Sequence, residues 1–341
     1  MRSCQQKAHM PEAVQLTPRE ETAQRLADTL KRQLGARLCG LLQTSGVVEL
    51  LLNADGRVWV DRLGSGMEPV GDMAASAAES FIGTVASTLK ATVNRENPIL
   101  ECELPLAAPF NGARFEAVIP PNVSPGPVFT IRLKASAVFS LDQYVTAGIM
   151  TPAQCAAIKR AVCERRNILV VGGTGTGKTT LTNAVLAYMA EVASAHRLVI
   201  IEDTSELQCS AENTVVLRAT AGVSMLLLLR TTMRLRPDRI IVGEVRGGEA
   251  LALLKAWNTG HPGGVCTVHA NTHENAARAG LTRIEQLIAE ASPSPMRELI
   301  AEAVDLIVSI AKANNEPGRL VQEVVSVNGV VDGIYQLSNA E

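Results

Sequence analysis

Apolar positions along the chain change period near its middle. Leu26, Leu30 and Leu34 recur every fourth residue, which predicts a helix over 18–34. The box Thr17-Pro18-Arg19-Glu20, with proline at the first helical position, marks its start. Residues 1–16 show no period and read as a mobile arm. Short β-rich runs at 47–52 and 57–61 flank the turn Asn53-Ala54-Asp55-Gly56 and predict a hairpin. An alanine-rich helix is expected over 72–93, then strands over 99–104, 113–119 and 128–133. Helix followed by antiparallel strands describes a small α+β domain over 17–134. Residues 135–140 read as a linker.

Beyond the linker, 141–341 form the second predicted domain. Thr151-Pro152 opens a helix to about 166, and apolar runs at 167–171, 198–201, 214–217, 239–242 and 264–268 follow. Helical patterns at 224–235 and 247–258 fall between them. Continuous apolar runs alternating with helices predict an α/β domain with a mostly parallel sheet. A helix over 274–290, breakers at Pro293 and Pro295, another helix, and strands over 305–310, 320–327 and 330–337 complete the pattern.

Length and charge narrow the classes. A chain of 341 residues suits about two domains, and 47% apolar content supplies two cores. With 32 basic and 34 acidic residues there is no global charge to attract nucleic acid, and 3% aromatics leave little for base stacking. No direct sequence-specific nucleic-acid binding is expected. Seven scattered cysteines without a C-x-x-C pair argue for a reducing compartment and against a zinc site. No basic-then-apolar leader is visible, and no apolar run approaches the ~20 residues of a membrane span. The expectation is a soluble cytoplasmic protein able to dock on a membrane complex.

The stretch 170–180, V-V-G-G-T-G-T-G-K-T-T, contains the full G-x-x-x-x-G-K-[ST] phosphate loop between an apolar strand and a helix. Gly172, Gly173, Thr174, Gly175, Thr176, Gly177, Lys178, Thr179 and Thr180 are its candidate nucleotide-binding residues. The glycines let successive N–H groups curl around a polyphosphate, and the helix start adds its positive dipole end. Lys178 suits the β- and γ-phosphates, and the Thr179 hydroxyl suits Mg²⁺. ATP and Mg²⁺ are the expected ligands.

Nucleotide hydrolysis also needs carboxylates that manage metal and water. Glu202, Asp203 and Glu206 follow one apolar run, and Glu244 ends another, at the sheet edge where ligands bind. Taken singly, each set equally describes a solvated strand end. His261 and His269 flank the run 264–268, and a core or surface role is the ordinary reading of either. The arginines of 230–239 describe either a basic helix face or a phosphate contact across a subunit boundary.

Read in order, the phosphate loop, I-E-D-T-S-E-L-Q, R-L-R-P-D-R-I-I-V-G-E-V-R-G-G-E-A and T-G-H-P-G-G-V-C-T-V-H-A-N resemble the secretion traffic-ATPase superfamily. Its members power type IV secretion, type II secretion and type IV pili. The tract L-L-K-A-W-N-T-G-H-P-G-G and the hairpin L-N-A-D-G-R-V-W are similar to its conjugative-transfer branch. The resemblance implies a RecA-like P-loop ATPase domain preceded by the smaller α+β domain. It implies a homo-hexamer that binds ATP between its domains and moves them as it hydrolyses. Its partners would be inner-membrane and coupling components of a conjugation machine, with peripheral membrane association. It further implies that Lys178 and Thr179 are the Walker A pair and Glu244 the water-activating acid. Glu202, Asp203 and Glu206 match the acid box that organises metal and water. Glu206 and His269 would act beside the γ-phosphate, and Glu202, Asp203 and Thr179 beside the metal. Arg114 and Arg132 match arginines that the family's N-terminal domain brings to the phosphates.

Two features stand out within this likeness. No aspartate precedes Glu244, so Mg²⁺ depends on Thr179 and the acids of 202–206. There is no four-cysteine zinc element, which favours the conjugative branch or the retraction-type pilus motors. A pilus-retraction or type II secretion motor, a nucleic-acid translocase and a nucleotide-gated scaffold with little turnover remain the alternatives.

Overall fold

Leu30, Leu34, Leu38 and Leu42 are all buried, and together they carry one apolar stripe across two successive helices, α1 (Pro18–Leu34) and α2 (Ala36–Leu42). Gly35, at φ 86°, supplies the left-handed break between them. The structure, a computed structural model, describes residues 18–340 except 63–64, 90, 135–137, 221, 272–274, 293 and 314. The predicted arm over 1–16, the Thr17 cap, the Pro293 breaker, residue 274 of the predicted helix and half of the predicted linker therefore lie outside the described residues. The chain divides between Lys134 and Ala135 into two compact units.

In the first unit, β1 (Val47–Leu52), β2 (Arg57–Arg62), β3 (Gly66–Asp72), β4 (Ile99–Glu103), β5 (Arg114–Val118) and β6 (Val128–Arg132) form one antiparallel sheet. Its order is β3-β2-β1-β6-β5-β4. The helix α3 (Ala75–Thr88) packs Phe81 against Phe115 and Phe129 of the sheet, with ring centroids 5.6 and 5.5 Å apart. This helix is shorter than the expected 72–93, because Asp72 ends β3. That edge strand, G-M-E-P-V-G-D, is missed by periodicity since it is mostly exposed and holds a proline, as edge strands tolerate.

The second unit comprises α4 (Leu141–Thr146), α5 (Pro152–Cys163), β7 (Ile168–Gly172), α6 (Lys178–Val192), β8 (Leu198–Glu202), β9 (Thr214–Arg218), α7 (Met225–Thr232) and β10 (Arg239–Val242). Then follow α8 (Glu249–Asn258), β11 (Val265–His269), α9 (Ala276–Ala289), α10 (Arg297–Ala303), β12 (Leu306–Lys312), β13 (Arg319–Val331) and β14 (Ile334–Asn339). Capping boxes at Ser140 and Thr151 start α4 and α5. The sheet order is β14-β13-β12-β7-β11-β10-β8-β9, parallel from β12 to β9 and antiparallel at the β12–β13–β14 end. Alternate residues of β7 face opposite layers. Leu169 and Val171 join the core under α7 to α10, while Ile168 and Val170 join the core under α4 to α6. Burial on both faces explains why these strands read as unbroken apolar runs.

The last hairpin turns later than expected. The chain offers Asn328-Gly329 and Asp332-Gly333, both suited to tight turns. The turn uses Asp332 and Gly333, at φ 50° and 73°, whereas Gly329 sits inside β13 where the register shifts. No described helix is long and apolar enough to cross a membrane.

The tract 253–264 is structural in part. Trp257, only 2% exposed, donates its indole N–H to the Ile240 carbonyl at 3.1 Å. A Cβ on Gly264 would stand 2.2 Å from that indole nitrogen and 2.3 Å from the Ile240 carbonyl. Gly264→Ala is expected to destabilise the protein by several kcal/mol, on the order of 3, through overpacking against backbone. Chemical denaturation checks this, and an unchanged midpoint would refute it.

Candidate functional site

The parallel strands β7, β11, β10 and β8 end at one edge of the sheet, so residues distant in sequence meet there. His269, the last residue of β11, is in register with Gly172, the last of β7. Glu244 follows β10 by two residues, and Glu202 ends β8. The structure thus gathers the predicted loop, acids and histidine at one edge.

The loop has the backbone that its glycines allow. Gly175 and Gly177 lie at φ 69° and 101°, where other residues are strained. A Cβ on Gly172 would meet the Thr176 hydroxyl at 2.6 Å and the Ile310 carbonyl at 2.7 Å. Gly173, Thr174 and Thr176 complete the curve; the Thr176 hydroxyl donates to the Gly173 carbonyl at 3.0 Å. Thr179 and Thr180 occupy the first turn of α6 after Lys178. Lys178, 7% exposed, turns Nζ back onto the Gly172 and Gly173 carbonyls, both at 2.9 Å. That ammonium also lies 3.3 Å from each ring nitrogen of His269.

His269 links this cation to Glu244, whose Oε1 is 2.9 Å from Nε2. A ring protonated on Nε2 donates to Glu244 and presents Nδ1 to Lys178, so one tautomer serves both neighbours. The other Glu244 oxygen accepts from Arg246, at 3.1 Å from Nε and 2.9 Å from Nη2. Arg246 also donates to Asp203 at 2.6 Å. Burial pushes the Glu244 carboxyl up, but the hydrogen bonds from His269 and Arg246, with the Arg246 charge, together hold it below the ordinary carboxylate value. Thr267 fixes the backbone here by donating to the Gly243 carbonyl at 2.7 Å.

The three acids of the 202–206 loop have different surroundings. Glu206 accepts from the Thr179 hydroxyl at 3.0 Å. Asp203 is held by Arg246. Glu202, 2% exposed, accepts the Glu206 and Leu207 backbone N–H groups at 2.9 and 2.7 Å on one oxygen. It clamps the loop that presents Glu206. Asn183, one turn beyond Thr179 on α6, holds the same loop through the Glu206 carbonyl and the Gln208 N–H. Among the described residues, no three His, Cys, Asp or Glu are grouped as a metal cage. A loop that cradles phosphates beside one hydroxyl and one carboxylate fits Mg²⁺, which takes few protein ligands and shares substrate oxygens.

Burial raises the Glu202 carboxyl from 4.5 to about 7, with the two backbone hydrogen bonds opposing it. The folded form therefore holds its proton between 4.5 and about 7, where the unfolded chain has lost it, so stability falls as pH rises through that window. At 1.36 kcal/mol per unit the loss is on the order of 3 kcal/mol. Denaturation of Glu202→Gln between pH 5 and 8, with chelator present, should show this slope flattened; a slope equal to that of the unsubstituted chain would refute the assignment.

Periodicity and motif do not reveal Arg246 or Asn183. Their available signals are a cation two residues past Glu244 and an amide four residues past Thr179. Arg239, grouped by sequence with a basic cluster, is instead 1% exposed and donates to His196, Gly263 and Val162. Burial lowers its pKa to about 10. The His261 Nδ1 lies 2.9 Å from the Pro237 carbonyl. In the first unit, Arg114 and Arg132 stand directly opposite on β5 and β6, and Arg114 pairs with Glu101.

Comparison with known proteins places this edge in context. The model of the family described as Type II/IV secretion system protein matches residues 73–324. The Conjugal transfer protein TrbB of Rhizobium radiobacter is 53% identical over 312 residues, spanning 92% of this chain and 93% of that protein. The "Probable conjugal transfer protein TrbB" of Sinorhizobium fredii (strain NBRC 101917 / NGR234) is 51% identical over 315 residues, 92% of this chain and 94% of its own. The X-ray structure of the Legionella pneumophila ATPase DotB aligns with a TM-score of 0.58 at 15% identity, over 93% of this chain and 82% of that one. At that identity the likeness is one of fold, a RecA-like P-loop domain following a smaller α+β domain. The chain belongs to the type II/IV secretion system protein family and is similar across nearly its whole length to conjugal transfer proteins named TrbB.

Proposed function

We propose that the protein is a cytoplasmic ATPase that works as a homo-hexamer at the inner face of the membrane and energises conjugative type IV secretion. The observation that carries the enzymatic reading is the chain of contacts from Lys178 through His269 and Glu244 to Arg246 beside the phosphate loop. The names of the TrbB relatives support the conjugative assignment over pilus retraction or type II secretion.

In this reading the N–H groups of the loop and the Lys178 ammonium hold the β- and γ-phosphates. Thr179 and Glu206 would hold Mg²⁺, with Asp203 near and Glu202 keeping their loop in place; the ion would supply positive charge to the phosphates. Glu244 is anionic at neutral pH and takes the proton of the attacking water. Arg246 occupies both acceptor sites of one oxygen and His269 one site of the other, which leaves Oε1 a lone pair for that proton. His269 passes the change at the γ-phosphate to Lys178 and Glu244. Arg114 and Arg132 supply further positive charge to the phosphates, and motion of the N-terminal domain carries the work.

Phosphate release and sedimentation of the full chain with Mg-ATP test this. Turnover together with a particle of six 36.2 kDa copies is expected. A monomer that releases no phosphate would overturn it.

A further inference from the structure

Two cations outside every candidate set lie against the phosphate loop. Lys312 ends β12 and Arg319 begins β13, and the two face each other across the hairpin ladder. A Cβ on Gly177 would stand 2.6 Å from Arg319 Nη1, and one on Gly175 would stand 3.4 Å from Lys312 Nζ. The same two glycines that need positive φ therefore also leave room for these side chains. Neither cation forms an ion pair among the described residues, although Arg319 is only partly exposed.

Sheet order gives the pair a direction. On one side of β7 lie β11 and β10, which lead to His269 and Glu244; on the other lie β12 and β13. If Glu244 manages water at the terminal phosphate, as proposed above, the phosphate chain runs from the β10 side toward the β12 side. The α- and β-phosphates then reach the hairpin. We propose that Lys312 and Arg319 are nucleotide-binding residues contributed by the C-terminal hairpin, contacting the diphosphate oxygens that ADP and ATP share. They bind ground state and transition state alike, so they set affinity rather than the rate of the chemical step. Their charge-assisted hydrogen bonds are of the strong class.

This inference rests on the nucleotide reading, and the test separates the two. Calorimetric titration of the full chain with Mg-ADP should give a Kd about 10-fold weaker for Lys312→Ala and for Arg319→Ala, and about 100-fold weaker for the pair. Arg319→Lys should recover most of the loss, and KM for ATP should rise with Kd while kcat at saturation moves less than twofold. Lys255→Ala, exposed on α8, serves as a control with unchanged affinity. Thermal melts and Arg319→Gln guard against misfolding. A double variant that binds Mg-ADP as tightly as the unsubstituted chain would overturn the proposal. Failure of the unsubstituted chain to bind Mg-ADP would instead overturn the nucleotide site itself.

Discussion

Glu244→Gln is expected to lower kcat for ATP hydrolysis by ~10²-fold or more and to leave ADP affinity within about threefold. The amide keeps the size of the side chain; its oxygen can still accept from Arg246, while its NH2 faces His269 and donates to a ring nitrogen that has given up its proton. It cannot take a proton from water. The basis is local: the carboxylate is anchored by His269 at 2.9 Å and by Arg246 at 2.9 Å, so the substitution changes basicity with little change of position. A variant that keeps full turnover would remove Glu244 from the chemistry. Steady-state kinetics combined with titration makes the distinction.

Lys178→Ala should act on the other quantity. Its ammonium is buried against the loop and contacts the Gly172 and Gly173 carbonyls and His269, at 2.9 to 3.3 Å. Two charge-assisted bonds to phosphate, each worth ~1.5–3 kcal/mol, correspond to a loss of ~100-fold or more in Kd for both ADP and ATP. Calorimetry with each nucleotide reads the effect. Equal affinity in the variant would mean that the loop does not hold the phosphates. The two substitutions thus separate holding the nucleotide from cleaving it.

How much of this was legible beforehand follows from what each signal measures. Strands β7, β8, β10 and β11 announced themselves because burial on two faces requires unbroken apolar runs. The edge strand β3 and the short helix α4 were not legible, since half-exposed or brief elements carry little periodicity; α2 continues the leucine stripe of α1, but Gly35 reads as the end of that helix. At 328–333 two turn dipeptides competed, and tertiary pairing with β14, not local propensity, selected the second. The site was legible as letters in order, and the parallel strand ends bring those letters together. Side-chain direction was not legible. Nothing in E-D-T-S-E tells that Glu202 turns inward to clamp backbone while Glu206 meets Thr179. Arg246, Lys312 and Arg319 become visible only once register and loop geometry place them.

The most direct measurement is a crystal or cryo-electron structure of the full chain with Mg²⁺ and a non-hydrolysable ATP analogue. The account predicts the triphosphate wrapped by residues 172–179, with Lys178 drawn from the loop carbonyls onto the phosphates. Glu206 and Thr179 would flank the metal, and a Glu244 oxygen would face the terminal phosphate. A nucleotide bound elsewhere, or a terminal phosphate with no carboxylate beside it, would contradict the account.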